Sequence, residues 1–346
     1  MSLKESLRKG AAELFPGYFA LVMATGIISI AAYLLGIVWL GWVLFYINIV
    51  FFVILWLLTI IRLIRYSTRL LADLKDYARG PGFFTLIAGT SILGNQFVIL
   101  AKNLTASIFL WIFVTILWFT LIYAFFTAVT THEHKPDLEH GIHGGWLVIV
   151  VATQSVSILG TLIAYKFGIW QEPLLFFAFS LFLLGCMLYI VLISLIFYRL
   201  VFFHLAPEAL TPPYWVNMGA VAITTLAGAR LILTAPQWGF LQETLPFIKG
   251  FTLFFWSTAT WWLILLLILG VWLHLYRRFP LRYNPQYWSM VFPLGMYTTS
   301  TLVFAQATKL SFLELVPRYF FYAALLAWII TSWGLIRTIK RIFTSR

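Results

Sequence analysis

Ten long apolar stretches constrain this 346-residue chain more than any other feature of its sequence. A helix rises about 1.5 Å per residue and the hydrocarbon core of a membrane is about 30 Å thick, so roughly 20 apolar residues cross it. Only 10% of the residues are charged and 62% are hydrophobic, which excludes a soluble domain of this size. We therefore predict an all-α integral membrane protein with ten transmembrane helices, at residues 16–37, 41–62, 83–101, 107–130, 145–165, 174–197, 215–234, 250–272, 288–308 and 317–338.

These spans leave no room for a separate soluble domain. We predict a single transmembrane domain over residues 1–346, with a short N-terminus at 1–15, the spans within 16–338 and a short C-terminus at 339–346. Cytoplasmic loops of membrane proteins are rich in Lys and Arg. Of the 23 Lys and Arg residues, 17 lie on the side that holds both termini and five on the other.

This distribution predicts that both termini are cytoplasmic, in a multi-pass protein of the plasma membrane, which would be the inner membrane of a bacterium or an archaeon. The net charge of +12 then reflects the topology of the chain and does not indicate binding to nucleic acid.

The odd-numbered spans differ in composition from the even-numbered spans. Gly, Ala, Ser, Thr, Asn and Gln make up 47 of 103 residues in the odd spans and 28 of 115 in the even spans. Small residues let helix backbones approach closely, whereas bulky apolar residues suit contact with lipid. We therefore predict five helical hairpins, with the odd-numbered helices in an inner ring around a central pore and the even-numbered helices in an outer ring.

Within the odd spans, small and polar residues recur at intervals of three and four, which places each set on one helix face. Such a face serves either for close packing between helices or as the polar lining of a pore. Because all five odd spans carry one, we predict a pore lined by Thr25, Ser29, Ala88, Ser91, Asn95, Thr153, Ser157, Gly160, Asn217, Thr224, Gly295, Thr299 and Gln306.

The positions of the charged residues indicate which ions such a pore would carry. None of the eleven acidic residues falls inside a predicted span. Cation channels use acidic rings and many proton-coupled carriers use buried carboxylates, so a path without carboxylates favours small anions. Away from the span ends the only charged residue is Arg230, which we interpret either as a snorkelling or structural residue or as an attractor of anions.

The ninth span contains a Phe-Pro pair. Pro293 removes one backbone hydrogen bond and is expected to kink the helix. Phe292 lies on the same face as Gly295 and Thr299, where its ring would project toward the axis and close a narrow tube. We predict a gate at Phe292; the alternative is that the ring packs against lipid or the protein core.

Four histidines, His132, His134, His140 and His143, lie in the connection after the fourth span. Their spacing matches no familiar zinc site, so we expect a solvated loop and predict neither a metal nor a cofactor. The spans hold no paired carboxylates and no pattern typical of a catalytic site, which argues against an enzyme. The alternatives that remain are an anion channel, a secondary carrier, and a sensor or structural membrane protein.

Five segments carry recognisable motifs: FPGYFALVMATGIISIA (15–31), LEHGIHGGWLVIVVATQSVSILG (138–160), PPYWVNMGAVAITTLAGARLI (212–232), FFWSTATWW (254–262) and YWSMVFPLGMYTTST (287–301). Together they resemble the tellurite-resistance/C4-dicarboxylate transporter family. That family includes plant slow-type guard-cell anion channels, bacterial tellurite-resistance protein A, fungal malate permeases and sulfite exporters.

The resemblance implies a pore of five inner helices enclosed by five outer ones, commonly in a homotrimer with one pore per subunit. It also implies that the aromatic gate of the family corresponds to Phe292. We therefore expect an anion channel or low-selectivity transporter for halide, nitrate, sulfite or dicarboxylate. The alternative is a secondary carrier or exporter of C4-dicarboxylate, sulfite or tellurite, with proton coupling left open.

Overall fold

The computed structural model describes residues 10–344 of the chain, and its ten long helices confirm the predicted all-α membrane architecture. Most of the predicted N-terminus at 1–15 and the last two residues of the predicted C-terminus lie outside the described residues. The helices are α1 (Ala20–Leu34), α2 (Val38–Arg65), α3 (Phe84–Ile99), α4 (Leu104–Thr130), α5 (Val148–Ile163), α6 (Gln171–Phe202), α7 (Val216–Thr234), α8 (Leu245–Val271), α9 (Trp288–Thr308) and α10 (Leu315–Thr344).

The five odd-numbered helices form a closed ring. In this ring α1 packs on α3, α3 on α5, α5 on α7, α7 on α9, and α9 on α1. Each even-numbered helix packs on the odd-numbered helix before it and also touches the one after it, so that α10 closes the circle onto α1. The structure thus has the predicted inner ring and outer ring, built from five hairpins.

Burial separates the two rings as their composition predicts. Between 78% and 94% of the residues in the apolar stretches of α1, α3, α5 and α7 are buried, against 17% to 50% in those of the outer helices. The outer helices therefore present their bulky aliphatic and aromatic side chains to lipid. The inner helices, rich in small residues, are enclosed by protein.

Nine segments of the described chain are long and apolar enough to cross a membrane, and α9 is the one long helix that is not among them. Its middle carries the polar run Thr298, Thr299, Ser300 and Thr301, all of it buried. α9 has 21 residues, a length of about 31 Å, and it packs against α1, α7 and α10. Because these neighbours shield its hydroxyls from lipid, we count α9 as the tenth span.

Each inner helix begins with the same short element, a single 3-10 turn. The five turns are Pro16–Phe19, Gly80–Phe83, Gly144–Leu147, Pro212–Trp215 and Pro285–Tyr287. They contact one another in the same cyclic order as the helices that they start. Proline suits this position because its missing N–H would be unpaired in the first turn of a helix anyway.

These turns carry a sequence repeat that is too short to stand out before the turns are aligned in space. The tetrapeptides PGYF, PGFF, GGWL, PPYW and PQYW begin at residues 16, 81, 144, 212 and 285. Glycine is required where neighbouring turns meet, since a Cβ at Gly144 would lie 2.6 Å from the Pro213 carbonyl oxygen and one at Gly82 would lie 2.8 Å from the Gly17 nitrogen. The repeat therefore places equivalent residues of the five inner helices in one register.

The outer helices are longer than the sequence predicted. They have 27 to 32 residues, against 15 to 21 in the inner helices. The apolar stretches end at 62, 197 and 338, whereas α2, α6 and α10 reach Arg65, Phe202 and Thr344. At about 1.5 Å per residue these helices exceed the hydrocarbon thickness, so they must tilt or extend into the headgroup region.

The connection predicted at 63–82 contains a further helix, Ser67–Lys75, which is clamped to the bundle by charge. Arg62 is 3% exposed and its guanidinium donates to Asp73 and to the Leu14 carbonyl. Arg79 pairs with the same Asp73 at 2.8 Å. The sequence identifies Arg62 only as a cytoplasmic charge, because nothing in the hydropathy pattern shows that the helix Ser67–Lys75 folds back to cover it.

Candidate anion pathway

The ring of 3-10 turns surrounds a cavity of about 230 Å³, which we call the vestibule. It lies at the end of the bundle where the inner helices begin. The second residue of every repeated tetrapeptide lines it, namely Gly17, Gly82, Gly145, Pro213 and Gln286. Polar side chains complete its wall, contributed by Thr85, His143, Thr211 and Ser289.

A second, much smaller cavity lies further along the same axis, and we call it the axial cavity. Its volume of about 10 Å³ matches roughly one water-sized sphere. All five inner helices form its wall, through Ile27, Ile30, Ile92, Asn95, Ile99, Ile158, Leu162, Ile223, Leu226, Arg230, Met296 and Thr299. Among residues 10–344, no acidic residue lines either the vestibule or the axial cavity.

The tetrapeptide repeat explains which residues reach the axial cavity. Ile27, Ile92, Ile223 and Met296 each follow the first residue of their tetrapeptide by eleven positions. A second layer follows by fourteen positions and comprises Ile30, Asn95, Ile158, Leu226 and Thr299. The axis is therefore lined mainly by isoleucine, which a search for polar positions in the sequence does not find. The register of the repeat would have identified these positions.

Arg230 contributes the only charged side chain that the described part of the chain places at the axial cavity. Within residues 10–344 its guanidinium has neither a hydrogen bond nor an ion pair. A cation without a counter-ion attracts anions strongly between apolar walls, because a low dielectric constant weakens screening. The interpretation of Arg230 as an attractor of anions stays a prediction.

Two of the predicted lining residues, Asn95 and Thr299, do reach the axial cavity. Asn95 is 5% exposed and its Oδ1 atom has no hydrogen-bond partner among the described residues, so its amide group is free to interact with a solute. The buried Ser91 hydroxyl, one helical turn before Asn95, also has no hydrogen-bond partner among the described residues. Thr299 donates to the Gly295 carbonyl at 3.1 Å.

Phe292 lies between the two cavities. Ser289 lines the vestibule, whereas Met296 lines the axial cavity seven residues later on the same helix. Phe292 follows Ser289 by three residues and precedes Met296 by four, so all three share one face of α9. The ring is 1% exposed. Seven residues of a helix span about 10 Å, so Phe292 lies about midway along the segment of α9 between the two cavities.

The repeat identifies the residues of the other inner helices that are equivalent to Phe292. In the register of the repeat, Phe292 is seven positions into its unit, and the equivalent residues are Met23, Ala88, Val151 and Gly219, all buried. Two of these four have a methyl group or no side chain at all. These five residues form one layer of the repeat, which we call the gate layer because we predict a gate at Phe292.

Pro293 holds α9 against α7 beside the gate layer. A Cβ at Gly219 would lie 2.7 Å from Cγ of Pro293, so only glycine allows this approach. The helix runs on through Pro293. The missing N–H leaves the Ser289 carbonyl without its usual helical partner at the edge of the vestibule.

Two predicted lining serines face the outer ring instead of the axis. Ser29 donates to the Gly41 carbonyl at 2.6 Å, and Ser157 donates to the Ala178 carbonyl at 2.6 Å. Gly41 and Ala178 belong to the outer helices α2 and α6. A buried hydroxyl needs a partner, and here the neighbouring backbone supplies it.

Thr25 and Thr153 face the outer ring in the same way. The indole N–H of Trp118 donates to Thr153 at 2.9 Å, and that of Trp328 donates to Thr25 at 3.0 Å. These contacts fasten α4 to α5 and α10 to α1. The structure thus uses these hydroxyls as links between the two rings, a placement that differs from the pore lining that we expected.

The remaining predicted lining residues are scattered. Gly160 faces Trp111 of α4, and Gly295 faces Ile27 of α1, where each allows close packing. Thr224 donates to a carbonyl of its own helix, and the buried Asn217 side chain has no partner among the described residues. Gln306 is exposed near Glu314 and Arg318 at the far end of the bundle, and Ala88 lies in the gate layer.

Of the four histidines, His143 lies in the wall of the vestibule rather than in a solvated loop. Gly145 donates to its Nδ1 at 3.0 Å, and its Nε2 is buried with no hydrogen-bond partner in the described part of the chain. Burial lowers the pKa of His143, and the positive charge of Arg199 acts in the same direction, against the backbone of Tyr77 and Ala78 and the charge of Asp76, which act to raise it. His143 is therefore neutral at neutral pH and gains its charge only in acid.

The other histidines form no metal site. His140 pairs with Asp137 at 2.6 Å on the surface, and His132 packs against the ring of Tyr77. Within residues 10–344 no group of three or more His, Cys, Asp or Glu side chains is placed to hold a metal ion.

Comparison with known proteins relates nearly the whole chain to one protein family. A family model described as voltage-dependent anion channel, SLAC1, matches residues 13–336. Two uncharacterized transporters of Methanocaldococcus jannaschii are 26% identical, one over 335 residues (94% of this chain and 94% of that protein), the other over 337 residues (95% and 93%). An uncharacterized membrane protein of Mycobacterium tuberculosis is 39% identical over 144 residues, 42% of this chain and 73% of that protein.

The side-chain directions can be tested with two matched substitutions. Thr153→Val removes the hydrogen bond from Trp118 while keeping the shape of the side chain, so we expect a loss of about 0.5–1.5 kcal/mol of stability and unchanged anion flux. Thr299→Val changes the wall of the axial cavity and should alter flux. Melting temperature in detergent and flux into liposomes would be measured for both. An equal loss of flux in the two variants would contradict the outward direction of Thr153.

Proposed function

This chain belongs to the SLAC1 family of voltage-dependent anion channels, and on that premise we propose that it carries small anions through the axis of its inner ring. The observation that supports this most directly is the unpaired guanidinium of Arg230 in the wall of the axial cavity. The walls of both cavities, as far as residues 10–344 form them, contain no acidic residue, which supports the same charge preference. The positive potential would select anions over cations, without a tight site for any one of them.

The width of the path favours the smallest of the candidate anions. The axial cavity holds roughly one water-sized sphere, which suits a halide or nitrate after modest widening. Sulfite requires more room, and a C4-dicarboxylate requires the gate layer and the isoleucine wall to move apart along most of the axis. We therefore place halide and nitrate first.

The gate layer explains how such a path would be closed. Phe292 is buried on α9 between Ser289, which lines the vestibule, and Met296, which lines the axial cavity. An apolar constriction of this kind stops ions by excluding water. Rotation of one side chain, or a small shift of α9, would join the vestibule to the axial cavity.

Phe292→Ala should open this constriction. We expect anion flux to rise about tenfold or more, which corresponds to a barrier lowered by about 1.4 kcal/mol. Flux would be recorded in planar bilayers and in liposomes. Phe304→Ala is the control, since Phe304 is equally buried on α9 but stacks on Trp256 of the outer ring. A Phe292→Ala variant that folds and conducts as the wild type does would show that this ring is not the gate.

Arg230→Gln should weaken the attraction of anions. Coulomb's law gives about 4 kcal/mol for two unit charges 4 Å apart at an effective dielectric constant of 20, so a tenfold fall in flux, about 1.4 kcal/mol, is a modest expectation. The reversal potential in a salt gradient should also move toward lower anion preference. Arg318→Gln is the control, because Arg318 is exposed and lies 3.9 Å from Glu314. Equal effects in both variants would count against a role for Arg230.

Acidification on the side of the vestibule should increase anion flux. Because burial holds the pKa of His143 below its ordinary value, the ring is neutral near pH 7 and gains positive charge only as the pH falls below about 6.5. Flux would be measured between pH 7.5 and pH 5 on that side, in the wild type and in His143→Gln. The variant should lose the rise in acid while keeping its flux near pH 7. An identical pH profile would show that His143 does not act on the path.

A secondary carrier or exporter is the second candidate, for a C4-dicarboxylate, sulfite or tellurite. The two relatives that match nearly the whole chain carry the name transporter, and a closed layer between two cavities also suits alternating access. Reversal potentials under bi-ionic conditions separate the two candidates. A current that ranks several anions indicates a channel, whereas saturating flux that a counter-gradient accelerates indicates a carrier.

Orientation and assembly belong to the same proposal. The excess of Lys and Arg at the end where the vestibule lies supports cytoplasmic termini in the plasma membrane, so the vestibule would face the cytoplasm. Each chain forms a complete ring around its own axis, so the homotrimer that we expect would have one pathway per subunit.

A further inference from the structure

A cavity of about 530 Å³ lies away from the axis, between α8 and the beginning of α9. Its apolar wall is formed by Leu266, Leu269, Gly270 and Leu273 along α8 and by Met290 on α9. The volume falls within the range of about 300–1,000 Å³ found for small-molecule sites. We call it the side cavity.

The side cavity exists because α8 and α9 diverge. Nearer the far end of the bundle, Trp256 donates to Thr301 at 3.1 Å and Thr260 bonds the Tyr297 hydroxyl at 2.9 Å. In the rest of these two helices no hydrogen bond joins them among the described residues, and α8 continues into a π-helical turn at Trp272–Tyr276. The gap therefore opens toward the end of the bundle where the vestibule lies.

The mouth of the side cavity is basic and aromatic. Arg282 lines it, and Arg277 and Arg278 are exposed just before it in the chain. The guanidinium of Arg277 lies 5.3 Å from the ring of Trp272. Among the described residues of the wall, Arg282 is the one Lys or Arg and Glu208 the one acidic residue, while the exposed Arg277 and Arg278 add positive charge on the neighbouring surface.

The side cavity combines an apolar wall at the end of α8 with Arg282 and a basic surface beside it, so it suits both the acyl chain and the headgroup of a phospholipid. Side chains such as Leu266 and Leu269 suit an acyl chain, and Arg282 suits a phosphate. Basic pockets between transmembrane helices on the cytoplasmic side are known to hold anionic lipid headgroups. We propose that the side cavity binds one acidic glycerophospholipid from the leaflet on the side of the vestibule.

The position of this site connects it with the pathway. Tyr287 and Met290, at the beginning of α9, line the side cavity, and Thr211 and Gln286 are shared between its wall and that of the vestibule. The bound lipid would therefore support the first turn of the helix that carries Phe292. The proposal itself concerns binding and stands independently of anion flux.

Gly270 allows the site to be filled without disturbing its surroundings. A Cβ built at Gly270 has no atom of the described residues within 4 Å, so Gly270→Leu would project into the side cavity. Gly250 lies on the same helix, and its Cβ position is equally open. Gly250→Leu is therefore a matched control, with the same change of volume and of helix propensity outside the side cavity.

The experiment is native mass spectrometry of the full-length protein after delipidation and addition of phosphatidylglycerol or phosphatidylcholine with identical acyl chains. We expect the wild type and Gly250→Leu to retain one phosphatidylglycerol per subunit in preference to phosphatidylcholine. Gly270→Leu should reduce that retention about fivefold or more. Equal retention by Gly270→Leu and Gly250→Leu would overturn the proposal, as would a wild type that does not distinguish the two lipids.

A surface substitution keeps the test decisive if Gly270→Leu fails to fold. Arg282 is exposed, so Arg282→Gln should leave the fold intact. We expect this variant to lose its preference for phosphatidylglycerol and to retain both lipids equally. An unchanged preference in Arg282→Gln would exclude the assigned headgroup site.

Discussion

The close approach of the five inner helices is the contact on which the rest of this structure depends. In each pair of neighbouring inner helices, a glycine of the helix or of its first turn receives a bulky group from the other member. The contacts are Gly26 with Ile92, Gly94 with Leu159, Gly144 with Pro213, Gly219 with Pro293, and Gly295 with Ile27. Small residues provide such approach in membranes, where lipid offers no hydrophobic force between helices. A ring drawn this tightly leaves an axis only a few atoms wide.

Hydrogen bonding between the two rings determines what remains to line that axis. Hydroxyl groups such as those of Ser29 and Thr153 form hydrogen bonds with outer helices. They therefore hold the two rings together and do not line the axis. Isoleucines then make up half of the residues in the wall of the axial cavity, with Asn95, Thr299 and Arg230 as its polar groups. On the proposed function, a mostly apolar wall with Arg230 as its one charged group in the described part of the chain suits an anion that must enter and leave easily.

α9 brings the main features of the protein together. It carries Phe292, the proposed gate, while Pro293 fits against Gly219 on α7, and Tyr287 borders the side cavity in the turn that precedes the helix. Its polar run of Thr298 to Thr301 makes it the least lipid-compatible of the ten helices, yet its neighbours enclose it. A helix held in this way can respond both to solutes on the axis and to lipid at its base.

Hydropathy and composition by themselves determined the ten spans, the basic side, and the inner and outer rings. These features follow from lipid, which excludes charge and backbone polarity and so acts on each helix separately. Which face of an inner helix meets the axis was decided only by tertiary structure. Thr25 and Asn95 belong to equally regular rows of small and polar residues. A buried polar group can find its hydrogen-bond partner in an outer helix or in water, and the position of the neighbouring helices determines which of the two it meets. The same holds for the burial of His143, the ion pair of Arg62 and the side cavity beside α8. Each depends on chain segments that are far apart in sequence, so no local sequence pattern predicts it.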